Sequence, residues 1–343
     1  MIGANAELGY RSIVATEPEV SFGIAITTTA ATNYLEVTNV GVSVKIDELK
    51  SPEMNSTRDF SRRFQMNKNV DGSVEKSLHP VDGIDFLRHA IGGDLTTTAL
   101  STGVYAHTLT PNNSPFAVAT ATETSLTIDV RKGPNRGYRY TGARVNNMTV
   151  SAEIGSPLAV SYETIGQNVA SLAAASVATD TAVNFSSARP FLFQDVSFQF
   201  ASNTAALTST IERQLVGFEL SVTNNLDTDT RALGTDTVID LPGGRRDISL
   251  KLTMRADTST VYEEFVDGAK GAARIVIDGA AVSAADNYSL VFTLPEVYVN
   301  GADPEIGDEG VIQIEPELTA ISSAATTTSY AIQAILTNDV ASY

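Results

Sequence analysis

The sequence predicts a mainly β chain, a β-rich α+β protein built as two similar halves. Three observations carry this reading. Apolar and polar residues alternate at period two in segment after segment, Gly, Asn, Asp and Pro collect between those segments, and only two stretches show helical spacing. The 343 residues are 43% hydrophobic, enough for a buried core in one large or two medium domains.

Taken in order, Val42, Val44 and Ile46 alternate with Ser43, Lys45 and Asp47, and Ser73–Leu78 reads as a strand entering a helix. That helix is Asp82–Ile91: Ile84, Leu87 and Ile91 share a face, Asp82 is placed to cap the start, and Gly92-Gly93 ends it. A strand follows near Val104, then strands at Leu126–Val130 and Met148–Ile154. The second half repeats the pattern at Val196–Phe200, Phe218–Val222, Ile248–Met254, Arg274–Asp278, Tyr288–Leu294 and Tyr330–Leu336. Its helix is expected over Thr258–Asp267, where Val261, Tyr262 and Phe265 face one way and Gly268 terminates.

The halves follow one plan. Val42 precedes the helix start at Asp82 by about as many residues as Phe218 precedes Asp257, and a long polar connection (Lys50–Gly72, then Asn224–Arg246) separates the strands in each. The small-residue run Val169–Ala182 reads as a boundary, giving domains 1–170 and 191–343 joined by a linker over 171–190. Charge is uneven. Residues 1–172 carry 14 Lys/Arg against 17 Asp/Glu and residues 173–343 carry 9 against 23, so most of the net −17 lies in the second half.

Composition removes chemistry. With no Cys there is no disulfide scaffold, thiolate metal site or thiol nucleophile. The acidic balance argues against gripping nucleic acid, which needs Lys and Arg at the phosphates. His79, His89 and His107 share no metal-ligand spacing, and no Gly-x-Ser-x-Gly elbow is present. Gly268–Gly271 follows a helix rather than opening one, so it is not a phosphate loop, and Gly243-Gly-Arg-Arg246 reads as a hairpin turn. The acidic loop Asp303, Glu305, Asp308, Glu309 lacks EF-hand spacing. No catalytic residue, cofactor or metal is expected. The N-terminus lacks a signal-peptide pattern and no window reaches the apolar length of a membrane helix, so synthesis and assembly in a cytoplasm are expected.

The chain resembles the major tail tube proteins of long-tailed bacteriophages of the siphophage type. The residues that carry the likeness are Arg139–Ser151, Gly155–Tyr162, Phe193–Phe198, Val216–Asn224 and the Leu294-Pro-Glu-Val297 turn, in that order and spacing over nearly the whole chain. The resemblance implies tandem β-sandwich domains, each with a flanking helix, whose inner strands join in a ring to line a tube with β-barrel. A two-domain member is similar to those that build the ring from three subunits with pseudo-sixfold symmetry. It further implies a structural, non-enzymatic virion protein, made in the host bacterial cytoplasm. Its partners would be copies of itself, the tape measure protein and other tail proteins, with double-stranded DNA passing unbound and no membrane contact. The family's long loop reaches the adjacent ring, so Arg58, Arg62, Arg63 and Lys68 in the first polar connection are the expected inter-ring contact. The rival readings are another virion component, such as a capsid decoration or tail terminator protein, or a β-sandwich adhesin. Against the adhesin stand the absence of Trp and an aromatic content of 7%.

Overall fold

The computed structural model describes residues 12–26, 34–53, 58–111, 125–133, 136–173, 185–207, 215–255, 270–301, 313–323 and 329–343. The mainly β class predicted from sequence is what the chain adopts. The first half contains β1 (Ile13–Glu19), β2 (Tyr34–Leu35), β3 (Asn39–Val40), β4 (Ser43–Lys50), β5 (Arg63–Ser77), helix α1 (Ile84–Ile91), β6 (Gly93–Ser101), β7 (Val104–Pro111), β8 (Ser125–Lys132), β9 (Arg136–Glu153), β10 (Ala159–Gly166) and β11 (Asn168–Ala173). The second contains β12 (Val196–Ala201), β13 (Leu215–Thr223), β14 (Asp247–Arg255), β15 (Lys270–Ala281), β16 (Asn287–Gly301), β17 (Gln313–Ile314), β18 (Glu317–Ala320) and β19 (Gln333–Asn338). The helix expected over Thr258–Asp267 and the acidic loop 303–309 lie outside the described residues. So does the middle of the expected linker, whose first residues continue β11; just past its far end, Phe191 O accepts from Leu158 N of the first half at 2.9 Å.

The pairing scheme of the first half recurs in the second. β1–β8–β9 matches β12–β15–β16, β9–β11 matches β16–β19, and β9–β10–β5–β4 matches β16–β18–β14–β13. The β6–β7 hairpin follows α1 and has no counterpart among the described residues, which is why the sequence spacing diverges after the helix. This hairpin adds instead to the second half, where β7 pairs with β19.

Strand β9 belongs to two ladders at once. Residues up to Ala143 pair with β8 and β11, and the rest pair with β10 and β13. The change of partner occurs at Gly142, whose φ of 65° is left-handed. A Cβ there would stand 2.8 Å from Gln167 Cβ. The bend is held by the buried carboxylate of Glu19, the last residue of β1. It accepts from Gly142 N at 3.1 and 3.2 Å, Gly23 N at 2.9 Å, Thr127 Oγ1 at 2.7 Å and Ser125 Oγ. Several N–H and O–H donors replace the water this anion loses on burial.

Helix α1 lies on these sheets through Phe86, which stacks on Tyr162 of β10 at 5.0 Å between ring centroids. Gly92 ends the helix in left-handed conformation, with its N–H on Arg88 O, as the sequence predicts. Asp82 does not cap the start. The N-cap position is Gly83, and Asp82 instead accepts from Glu36 N at 3.1 Å and pairs with the buried Lys76 ammonium, whose pKa burial lowers despite that partner. The expected Leu294–Val297 turn is also corrected. Pro295 lies inside β16, at a bulge where the strand leaves β19 for β18 and needs no ladder N–H.

Replacing Glu19 with Ala strands the Gly142 and Gly23 amides in a dry site and should cost about 3 kcal/mol, read as a lowered urea midpoint. Gly142→Ala should cost about 2 kcal/mol through its strained φ and the close Gln167 contact.

Candidate functional site

The described residues offer a contact surface rather than a reaction centre. No group of three or more His, Asp or Glu side chains able to hold a metal occurs among them. The three histidines are dispersed. His79 Nε2 stands 3.5 Å from Glu36. His107 is fully buried on β7, where its Nε2–H donates to Asn338 Oδ1 and Val340 O, both at 3.0 Å, and Nδ1 accepts from Thr97 at 2.9 Å. Asn338 donates to Pro80 O and to the Tyr343 hydroxyl, which itself donates to Val81 O. The end of the chain is thereby fastened to the first half. His89 sits on α1 with Nε2 shielded from water and without a hydrogen bond. An open cleft of about 280 Å³ between β9, β12 and β13 is lined mainly by apolar residues such as Ile154, Phe193 and Phe218, with Glu153 at its edge.

The two halves join along a seam in which β13 runs antiparallel to β9, with Leu220 opposite Val150 and Val222 opposite Met148. All four side chains are buried in one core shared by both halves. Just past β13, Asn224 donates to Ala90 O at the end of α1 and to Val145 O of β9, each at 2.9 Å. The connection that follows, 224–246, lies across the first half. Asp236 O accepts from Lys68 N at 2.8 Å, Val238 O accepts from Gln167 Nε2 at 2.9 Å, and Asp240 is 3.1 Å from Arg144 of β9.

The corresponding connection in the first half is unlike the loop expected over Lys50–Gly72. β5 begins at Arg63, so β4 and β5 form a long two-stranded ribbon. Period-two alternation of Phe64, Met66, Lys68 and Val70 was the signal for this strand, and the surrounding polar residues masked it. Arg63 and Lys68 therefore lie on a strand. Arg63 pairs with Glu48 at 2.8 Å, and Lys68 Nζ donates to Asn168 at 2.5 Å. Arg62 stands 3.8 Å from Glu53 near the ribbon tip, and Arg58 is exposed there. One face of the ribbon presents Ile46, Leu49, Phe64 and Met66 to water at 40–49% exposure, and Phe60 at the tip at 68%. Apolar residues alternating along one exposed face of a ribbon that no third strand joins among the described residues mark an interaction surface. Sequence reasoning singled out the basic residues and missed this stripe, along with Asn224 and Arg144.

Burial and the Arg88 and Arg144 charges hold the His89 pKa at about 3, against 6.5 when free, and burial lowers that of His107. The unfolded chain thus binds more protons between pH 6.5 and 3, so stability should fall as pH drops through that window. Melting temperature measured from pH 7 to pH 4 checks this, and His89→Gln should make the fall shallower. Asn224→Ala orphans two buried carbonyls of the seam and should cost about 2 kcal/mol in urea unfolding.

The family profile described as Phage tail tube protein matches residues 3–329. Among solved structures the chain is similar to the SPP1 tail tube determined by solid-state NMR and cryo-EM, at 15% identity and TM-score 0.32, over 43% of this chain and 79% of that one. No curated protein matches. By the profile, which spans nearly its whole length, the chain belongs to the phage tail tube protein family, whose members are structural components of the virion tail.

Proposed function

We propose that this chain polymerises as stacked rings into the tail tube that conducts double-stranded DNA into the host. In this reading residues 1–170 and 191–343 are two tail-tube-like domains joined by 171–190, and three copies make a ring with pseudo-sixfold symmetry.

One observation carries the reading: the internal seam has an open counterpart at each end of the chain. β13 lies between β14 and β9, whereas its counterpart β4 has β5 as its one strand neighbour among the described residues. β9 has strands on both sides through the seam, whereas Val299–Gly301 of its counterpart β16 pair, among the described residues, on one side, with β18. Setting β4 of one copy beside β16 of the next repeats the seam between copies. Such a head-to-tail contact closes on itself into a ring and removes both edges.

The net charge of −17 supports passage of DNA without binding, since fixed carboxylates repel phosphate. The reading gives the chain no enzymatic step. Its partners are further copies, the tape measure protein and other tail proteins. Arg58 and Arg62 at the ribbon tip are the contact to the adjacent ring. Arg63 and Lys68, drawn into β5, belong to the shaft.

Negative-stain microscopy of concentrated protein should show hollow filaments with a regular axial repeat, and native mass measurement of the ring should give three chains. Monomers at all concentrations would overturn the proposal. Arg58→Glu with Arg62→Glu should leave rings that fail to stack, and tubes of normal length from that variant would remove the tip from the stacking contact.

A further inference from the structure

Each part of the clasp that joins the two halves has a counterpart that faces water. Asn146 of β9 holds the chain as it leaves β13: its O accepts from Asn224 N at 2.8 Å and its Oδ1 from Leu226 N at 3.0 Å. Farther along that connection Val238 O accepts from Gln167 Nε2 at 2.9 Å, and Val238 is 1% exposed. Resting on the tube reading, we infer that the contact between neighbouring copies in a ring repeats this clasp residue for residue. Asn300 of one copy accepts from Ile46 N and Glu48 N of the next, and Phe60 of that next copy settles on Ile321.

The strand pairing fixes the counterparts. Asn39–Glu75, Val44–Val70 and Glu48–Gln65 in the first half recur as Gly217–Thr253, Val222–Ile248 and Leu226–Gly243 in the second. One constant spacing relates all three, so neither connection has an insertion, and Ile46, Glu48 and Phe60 stand where Asn224, Leu226 and Val238 stand. β9 and β16 correspond as closely, bulge for bulge. Leu126–Ala143 and Ile128–Tyr140 recur as Gly271–Val297 and Ala273–Leu294. Thr164–Val145 and Glu163–Asn147 recur as Leu318–Val299 and Glu317–Gly301. Asn300 therefore takes the place of Asn146, with the same side chain, and Ile321 that of Gln167.

The hydrogen-bonding groups point the right way. Gly41 N donates to Ser73 O, so the alternate residues Val42, Val44 and Ile46 direct their N–H groups away from β5, to the open edge. Asn300 is exposed and its Nδ2 donates to Thr319 of β18, on the occupied side of β16. The amide oxygen, which points away from that nitrogen, is turned to the open side. Both faces are also more apolar than their internal counterparts. Tyr298 and Ile321 replace Arg144 and Gln167, and Phe60 and Met66 replace Val238 and Gly244. Phe60 is 68% exposed and Ile321 39%, so bringing them together removes apolar surface from water. A contact between separate chains needs that added burial, whereas one within a chain forms at high effective concentration.

The chain has no Cys, so introduced thiols react alone. Thr223 is opposite Asn147 in the seam, which sets Lys45 opposite Gly301 of the neighbouring copy, and a side chain added at Gly301 meets nothing of its own chain within 4 Å. Lys45→Cys with Gly301→Cys in one chain, assembled and then oxidised, should link copies by disulfides, since such non-hydrogen-bonded pairs bring Cα atoms to about 4.5 Å. Ser43→Cys with Gly301→Cys, two residues out of register, should stay unlinked. The linked species should end at the ring's own copy number, measured on reduced protein by native mass spectrometry. Linkage past that number, linkage of the shifted pair instead, or tubes without any disulfide would overturn the inference while leaving the tube intact. Protein that stays monomeric overturns the tube reading and the inference with it. Independently, Phe60→Ser and Ile321→Ser should each weaken ring association at least tenfold in sedimentation of dilute protein, and the double variant should lose little more than either. Losses that multiply would reject the contact. Both residues are exposed in the single chain, so its melting temperature should not change.

Discussion

The structure depends on one bend in one strand. β9 serves two sheets, and it can do so because the backbone turns at Gly142 and a buried carboxylate fixes that turn. Glu19 arrives at this point from β1, while Ser125 and Thr127 come from β8, so a single side chain ties three strands at their crossing. A carboxylate buried without such donors would destabilise the fold by several kcal/mol, so the anion and its ring of N–H and O–H groups stand or fall together. Beyond the bend, β9 offers both edges: one to β10, the other to β13 of the second half.

From that second edge follows the way the halves merge. They share one core rather than touching through a polar boundary. The merger is also reciprocal. β13 and the connection after it extend the first half, and the β6–β7 hairpin of the first half extends the second, locked there by His107 and Asn338. Repeated units that complete each other inside a chain leave complementary edges at its two ends.

Much of the fold was legible in sequence because strands write apolar–polar alternation into the chain. Val42–Ile46, Leu126–Val130 and Ile248–Met254 alternate clearly, and each is a strand. The reading failed where local chemistry serves a distant partner. Asp82 has the form of a helix cap, but Lys76, buried beside it, takes the carboxylate because an unpaired buried ammonium costs more than an unfilled cap. Pro295 has the form of a turn, yet it sits where a strand changes neighbours. Phe64, Met66 and Val70 alternate as a strand should, but Arg, Gln and Asn between them hid the signal behind a basic loop.

By itself, then, the sequence determined the β class, the first helix, the tail tube family likeness and the repetition of one plan. All of these rest on periodicity and order along the chain. Only the tertiary structure decided that β9 is shared, that the β6–β7 hairpin serves the other half, and that an apolar stripe on the β4–β5 ribbon faces water. Those facts depend on which strand lies beside which. Edge pairing is made by backbone N–H and C=O groups that every residue carries alike, so no residue type announces its neighbour.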